Sequence, residues 1–468
     1  MKKDKGKQNN EKSNNSKNKK SSRKEKKIYI KTSRVIQNNL IAEMVYPVNN
    51  KPVFLVWDKK LKSFKIKKYI LEGRLTYTPY VNRDLILNKT IRIPSKAKKY
   101  GNTKKLIYRI RKFIDKYVYI KDSVDKEIII TYILLTWVYD RFSAIPYLRA
   151  IGGLGTGKSR LLKVLNLCYK SIYTFSLASS APIFRIIDEF GGTVIIDEME
   201  LGKGTEKNAD IREILRAGKE NNGVVLRCDP KTYKVLSFKV FGPKILGSRY
   251  TSNDAALESR IINIRMVEAK GDSVPLMIED KKFERECEYL RSKLLVWRLK
   301  NYFKIDINAY RKYIDFNISK RLNEIYAPLI CVREHDRDFI KSLLGKAKKK
   351  HMQLLEDKSM SMEANIIREI YYLHNSCSSG SPLVQEIADN LRVNFDRKFS
   401  SRFIGSIISE NFGLKTEHTN KGNVVVYDRK KVISLIEEYH LEKILNLEGE
   451  KKIEEKLQKY LKNKKEKN

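Results

Sequence analysis

One stretch constrains this chain more than any other. Residues 147–170 read YLRAIGGLGTGKSRLLKVLNLCYK. Tyr147–Ile151 has the apolar run of a buried strand, while Leu161, Leu162, Leu165 and Leu167 suit a helix. Between them, Gly152, Gly153, Leu154, Gly155, Thr156, Gly157, Lys158 and Ser159 fit the pattern GxxxxGK[ST]. Glycines let successive backbone N–H groups turn inward around a phosphate. The helix start adds partial positive charge. Lys158 is placed to reach the outer phosphates and the Ser159 hydroxyl to help hold Mg²⁺. The expected nucleotide contacts run from Gly152 through Ser159 to Arg160. A chance glycine-rich turn would lack the flanking strand and helix.

A second motif follows at a telling distance. Ser180 and Pro182 mark a helix start, and Gly191 and Gly192 its end. Thr193–Ile196 is then a buried strand that delivers Asp197 and Glu198 at its carboxyl end, where parallel sheets bind ligands. Asp197 is expected to hold Mg²⁺ through water, and Glu198 to polarise an attacking water. An Asp-Glu pair by itself commonly does no more than end a strand. Here it comes one strand (171–176) after a phosphate loop, an order that points to hydrolysis by water and away from a small-molecule kinase.

Beyond a helix near 209–219, Val224–Cys228 and Lys234–Val240 read as a hairpin turning at Asp229, Pro230, Lys231 and Thr232. A basic tip such as Lys231 suits a phosphate backbone, and equally an ordinary surface turn. Pro243–Gly247 is a further strand ending in Ser248, a polar group in position to sense the γ-phosphate, with Arg249 as the alternative. Arg260 stands just before the strand Ile261–Met266. It is placed to stabilise transition-state charge in a neighbouring subunit's site, or to pair with Glu258 on the surface.

These features, in this order, resemble the AAA+ ATPase module, in particular members with a hairpin before the sensor strand. That branch includes the minichromosome-maintenance and superfamily-3 replicative helicases. The segments YLRAIGGLGTGKSRLL, SSAPIFRIIDEFGGTVIIDEME, FGPKILGSR and ALESRIINIRM look most similar to ATPases of plasmids and viruses. The resemblance covers about 145–330. It implies ATP with Mg²⁺, a hexameric ring and DNA in a central channel. It makes Lys158 and Ser159 the phosphate and metal residues, and Asp197 and Glu198 the metal and catalytic acids. It also makes Ser248 the first sensor, Arg260 the finger and Lys231 the channel contact. A second sensor in a helical lid falls to Arg321, which opens an apolar helix. Two features depart from the family: the first sensor is Ser where Asn or Thr is usual, and no zinc-bearing amino-terminal domain is recognisable.

The fold class expected is α/β: a parallel sheet between helices (143–267), a helical lid (268–350), a small α+β domain before it (28–142) and a winged helix after it (362–440). The first of these flanking domains is signalled by short β-rich segments up to Tyr80, read as one small sheet, and helices near 104–118 and 123–142. The last is signalled by helices near 364–374, 383–392 and 400–411 and a hairpin turning at Asn420, Lys421 and Gly422. Lys398 and Arg402 would face a groove, and Lys415 and Lys421 would reach phosphates from the wing. Winged helices also serve as plain protein-contact modules. Residues 441–468 read as a charged helical tail.

Charge bears on the partner. The chain's 96 Lys+Arg and 55 Asp+Glu give +41. Residues 1–27 hold 12 basic and 3 acidic residues and no apolar residue after Met1, so a disordered basic arm is expected there. The excess left on the rest fits a polyanionic partner, as would an AT-rich coding bias. Five scattered cysteines without a CxxC pair argue against a disulfide scaffold or zinc ribbon and for buried free thiols. The most apolar run, Ile128–Val138, is too short to span a bilayer and reads as a buried helix. The expectation is a cytoplasmic ATP-driven DNA motor, a replicative helicase or translocase of a mobile element. The alternatives are a nucleoprotein remodeller and an ATP-switched DNA-binding regulator.

Overall fold

The computed structural model describes residues 28–47, 51–80, 83–174, 181–198, 206–252, 254–376, 381–395, 398–442 and 444–445. The basic arm, the Ser180 cap, Cys377 and most of the charged tail lie outside them. The chain forms two compact units divided between Ile307 and Asn308, inside the stretch expected to be a lid.

The first unit opens with β1 (Ile28–Thr32), β2 (Arg34–Gln37), β3 (Leu40–Val45), β4 (Val53–Asp58), β5 (Ser63–Lys67), β6 (Ile70–Glu72) and β7 (Leu75–Pro79), then α1 (Arg83–Leu87). These strands make two sheets, not one. β2-β3-β4-β5 is an antiparallel meander, while β1 pairs in parallel with β7 and β7 antiparallel with β6. The break falls at Ser33, which is buried and donates to the Phe190 carbonyl at 2.8 Å. Its side chain is anchored to the next layer, so the strand cannot run on from β1 into β2. Two helices follow, α2 (Thr103–Tyr117), capped by Asn102, and α3 (Ser123–Thr136), capped by Asp122. In α3 every residue from Ile128 to Thr136 is buried, which accounts for a helix apolar all round. No described helix is long and apolar enough to cross a membrane.

The central layer comprises β8 (Tyr147–Ile151), α4 (Lys158–Val164), β9 (Ile172–Thr174), α5 (Ala181–Phe190), β10 (Val194–Ile196), α6 (Glu206–Ala217), the hairpin β11 (Val224–Cys228) and β12 (Val235–Lys239), β13 (Lys244–Ser248), α7 (Ala255–Glu258) and β14 (Ile261–Arg265). Five of these strands form an all-parallel sheet in the order β14-β8-β13-β10-β9. Parallel strands need crossovers, and the helices that supply them cover the sheet. β13 is fourth of the five in sequence yet lies between β8 and β10. The order brings three strand ends together: Ile151 before the glycine loop, Ile196 before Asp197, and Ser248.

The long helix α8 (Asp280–Asn301) closes the unit. A buried ionic cluster joins it to the antiparallel sheet. Arg298 donates to Glu43 at 2.8 Å and to Asp140 at 2.7 Å; Lys170 stands 3.2 Å from Glu43, and Arg34 3.1 Å from Asp140. Burial alone would raise the Asp140 carboxyl, yet Arg298 and Arg34 hold it down at about 2. Removing one member of such a cluster costs roughly 3–5 kcal/mol, because a buried charge is left unpaired. Of the free cysteines Cys168, Cys287 and Cys331 are buried. Cys228 is exposed on the hairpin, against the expectation of buried thiols throughout.

The second unit contains α9 (Lys320–Val332), α10 (Arg337–Ser359), α11 (Met362–Ser376), α12 (Val384–Phe395), α13 (Ser401–Ser406) with a π turn at Ile407–Asn411, β15 (Thr416–Thr419), β16 (Gly422–Val425) and α14 (Arg429–Glu438). α11 to α14 surround one apolar core that includes Ile367, Ile387, Ile404, Ile408 and Ile436. Ser400 caps α13 by accepting from Phe403 N.

Candidate nucleotide site

The glycine loop leaves β8 where Ile151 lies beside Ser248 on one side and Arg265 on the other. Gly152 has to be glycine: a Cβ there would lie 2.7 Å from the Met266 carbonyl and 2.8 Å from Thr156 Oγ1. Gly155 and Gly157 adopt left-handed backbone at φ +73° and +84°. Among the described residues, no backbone N–H from Gly153 to Arg160 has an acceptor. A row of unsatisfied donors on a glycine turn is a cradle for an anion. Gly153, Leu154 and Gly155 are exposed, with Leu154 at 75%.

Lys158 arches back over this loop and donates to the carbonyls of Gly152, at 2.8 Å, and Gly153. Burial pushes its ammonium below the usual lysine value, and the nearby Arg249 adds to the effect. The carboxylates of Asp197 and Glu198 oppose it. The four charges therefore share one locality.

Asp197 is buried, with its backbone N–H on the Thr174 carbonyl. Its Oδ2 accepts from the Tyr173 hydroxyl at 3.0 Å and its Oδ1 from Glu198 N at 3.0 Å. Glu198 has left-handed backbone, φ +53°, and is exposed. A non-glycine residue there costs about 1 kcal/mol or more, a strain that recurs at functional sites. It turns one acid inward and the next outward. The oxygens of Asp197 and of the Ser159 hydroxyl are hard donors of the kind Mg²⁺ prefers, so the residues fit that ion.

Ser248 is buried beside the loop, and its hydroxyl donates to the Tyr250 carbonyl at 2.9 Å. Arg249, the alternative, is exposed and is the residue whose charge reaches Lys158. The Arg160 guanidinium donates to the carbonyls of Pro275 and Leu276, the latter at 2.8 Å. Beside that contact lies a half-open cavity of about 250 Å³ against the loop, lined by Tyr119, Thr156, Arg160, Met266 and Leu276 among others.

Arg260 lies at the opposite end of the sheet. Ile261 pairs with Tyr147 and Arg265 with Ile151, so the length of β8, about 15 Å, separates Arg260 from its own loop. Its Nε is buried with no hydrogen-bond partner among the described residues. Glu258, the surface partner considered for it, instead takes the guanidinium of buried Arg149 in a two-point contact. Lys231 is exposed on the hairpin turn, where Asp229 Oδ1 accepts from Lys231 N and Thr232 N at 2.9 Å each. Tyr233 beside it is 83% exposed.

The other expected site residues belong to the second unit. Arg321 is in the first turn of α9 and pairs with Glu324 at 2.7 Å. Lys398, Arg402, Lys415 and Lys421 are all exposed, Arg402 on α13 and Lys421 on the turn between β15 and β16. Sequence reasoning does not reach Tyr173, Gly247 or the 267–276 segment. The first two act through strand neighbours, and the last carries no motif.

No protein-family model matches the chain, and no curated protein matches it in sequence. Among solved structures, the C-terminal region of NrS-1 in its apo form is similar at a TM-score of 0.39 and 11% identity, over 82% of this chain and 96% of that one. JCV Helicase bound to a small-molecule ligand gives 0.27 and 15%, over 48% of this chain and 65% of that one. A second JCV Helicase structure gives 0.25 and 15%, over 50% and 61%. The chain thus spans less than two thirds of JCV Helicase. None of these TM-scores reaches 0.5, so the functional reading stands on the site's own geometry.

Proposed function

We propose that this protein is an ATP-driven DNA motor, a replicative helicase or translocase of a mobile genetic element, with an AAA+ ATPase core acting as a hexameric ring. One observation carries the reading. Lys158, Asp197 and Glu198 share the carboxyl end of a parallel sheet in which β13 separates β8 from β10.

In this reading the Gly153–Arg160 N–H groups and Lys158 bind the phosphates. Ser159 and Asp197 hold Mg²⁺, which neutralises phosphate charge. Glu198, turned outward by its backbone, orients the attacking water and takes up its proton. Arg249 is the cation on the same side of the loop, and Arg260 is supplied to the next subunit. The cavity beside Arg160 and Met266 takes the nucleoside. Coupling to DNA falls to Lys231 on the exposed hairpin and, in the second unit, to Lys398, Arg402, Lys415 and Lys421 on a winged helix. Arg321 contributes a second sensor from the lid.

The test is ATP turnover with and without single- and double-stranded DNA. Glu198→Gln is expected to bind ATP normally and to lose at least about 100-fold in turnover. Lys158→Ala is expected to lose ATP binding itself. Wild-type protein with no ATP turnover, with or without DNA, overturns the reading. Turnover without strand displacement on a forked duplex turns it into a remodelling ATPase.

A further inference from the structure

A cleft of the first unit lies apart from the nucleotide site. Its volume is about 930 Å³, and it shares no lining residue with the glycine loop or the cavity beside it. One wall is the segment from Ile86 to Lys98, which runs along the β9 edge of the sheet through the Ile91–Ile172 bridge. The other is the first three turns of α8, where Lys281, Arg285 and Tyr289 recur every four residues on one face.

Seven basic residues and two acidic ones line it. Both acids are already engaged. Glu284 lies 3.5 Å from Arg92 and 3.7 Å from Arg291. Glu288 accepts from Ser95 N at 2.8 Å and Ser95 Oγ at 2.7 Å, and pairs with Arg291 at 3.3 Å. Arg92 and Arg291 are thereby used to hold the two walls together. The remaining cations, Lys89, Lys96 and Lys98 on one wall and Lys281 and Arg285 on the other, have no carboxylate partner among the described residues. Lys89 is held at φ +55°, a conformation that costs a lysine about 1 kcal/mol or more. Tyr289 is partly exposed, and its ring carries the ammonium groups of Lys98 and Lys293 at 4.4 and 4.7 Å from its centroid.

Five cations without a carboxylate partner along two walls give the cleft a positive field that attracts an anion. A small anion needs donors converging on one point, and these are spread along the cleft. A groove with cations along both walls is the arrangement that tracks a phosphodiester backbone. The cleft's volume of about 930 Å³ has room for a short run of nucleotides.

We propose that this cleft binds single-stranded nucleic acid, with Lys89, Lys96, Lys98, Lys281 and Arg285 on its phosphates and Tyr289 on the wall beside the strand. The proposal rests on nucleic acid as the partner in the reading above, and is independent of whether ATP is hydrolysed.

The test uses the full chain and a labelled oligothymidylate, titrated at several salt concentrations. The variant Lys89→Glu/Lys96→Glu/Lys281→Glu, checked for folding by thermal melting, is expected to lose at least tenfold in affinity. Its log–log salt slope should be shallower by about 2, since each single-strand phosphate contact contributes about 0.7. Independently, a thiothymidine-containing oligonucleotide cross-linked to the wild type should attach to the peptide holding Tyr289. A folded variant with wild-type affinity and slope overturns the proposal. So does cross-linking confined to the hairpin or the second unit, which decides the matter if the variant does not fold. A wild type that binds no oligonucleotide overturns it as well, whatever its ATP turnover. A chain that binds through the cleft but hydrolyses nothing leaves it standing while the motor reading falls.

Discussion

Gly247 leaves open the space that the Asp197 carboxylate fills. A Cβ at 247 would lie 2.8 Å from Asp197 Oδ1 and 2.8 Å from Leu162 Cδ1. The constraint is space and not backbone angle, because Gly247 is an ordinary β13 residue paired with Ala150. Gly247→Ala must therefore displace both the Asp197 carboxylate and the Leu162 side chain. The expected outcome is a stability loss of about 1–3 kcal/mol, the usual cost of overpacking. If Asp197 holds the metal as proposed, ATP turnover should fall at least about tenfold, since small misplacements of such a group are costly. Denaturant melts and steady-state ATPase assays measure the two. Wild-type turnover in a folded Gly247→Ala protein would mean that Asp197 need not sit where it does.

Tyr173 reaches the other oxygen of the same carboxylate. Burial, and then the negative charge of Asp197, raise its hydroxyl well above the usual tyrosine value, so it stays a donor across the working pH range. Tyr173→Phe removes that hydrogen bond to Asp197, worth about 1 kcal/mol or somewhat more to a charged acceptor. The Mg²⁺ concentration giving half-maximal ATP turnover should shift several-fold, with the melting temperature little changed. A metal titration unmoved by the substitution would remove Tyr173 from the site.

Lys244 lies at the base of the hairpin, fully buried, and donates to the carbonyls of Gly218, Val240 and Gly242 at 3.3, 2.6 and 3.0 Å. Burial pushes its ammonium down to about 7. The unfolded chain keeps an ordinary lysine, near 10.4. Below both values the two states bind the same proton and Lys244 adds no pH dependence. Between about 7 and 10.4 the unfolded state holds more protons, so this residue makes stability rise with pH. Comparing wild type with Lys244→Met across pH 7–10 isolates its share from that of other titrating lysines. The wild-type curve should climb more steeply. Parallel curves would show that Lys244 titrates alike in both states.

Sequence makes the glycine loop and the acidic pair legible because each is short, continuous and chemically specific. The hairpin and the strands around it are legible for a related reason: their apolar runs are bounded by turn residues. Strand order is not written in any local pattern. Gly247 beside Asp197, and Tyr173 beneath it, become neighbours only once β13 inserts between β8 and β10. The same holds for the buried cluster of Glu43, Asp140, Lys170 and Arg298. In a chain with 96 Lys+Arg, each of these residues reads as one more surface charge. Ser33 likewise looks like a strand residue, and only its bond to Phe190 shows why the amino-terminal strands divide into two sheets.

Arg260 yields the prediction that reaches beyond a single chain. It stands a full strand length from its own loop, with a buried Nε that no described residue engages. Glu258, which might have neutralised it, belongs to Arg149. If Arg260 takes part in the proposed chemistry, its place requires that it do so on a neighbouring molecule, through a head-to-tail interface. Arg260→Ala is expected to bind ATP with wild-type affinity and to hydrolyse it at least about 100-fold more slowly, the scale of a lost transition-state cation. Mixing separates the two possible directions of action. Added to a fixed amount of wild type, Arg260→Ala protein should depress turnover below that of the wild type alone, because mixed assemblies pair a competent loop with a subunit lacking its arginine. If the mixture keeps the full wild-type rate while the variant alone is inactive, the arginine acts on its own subunit and the interface it implies does not exist.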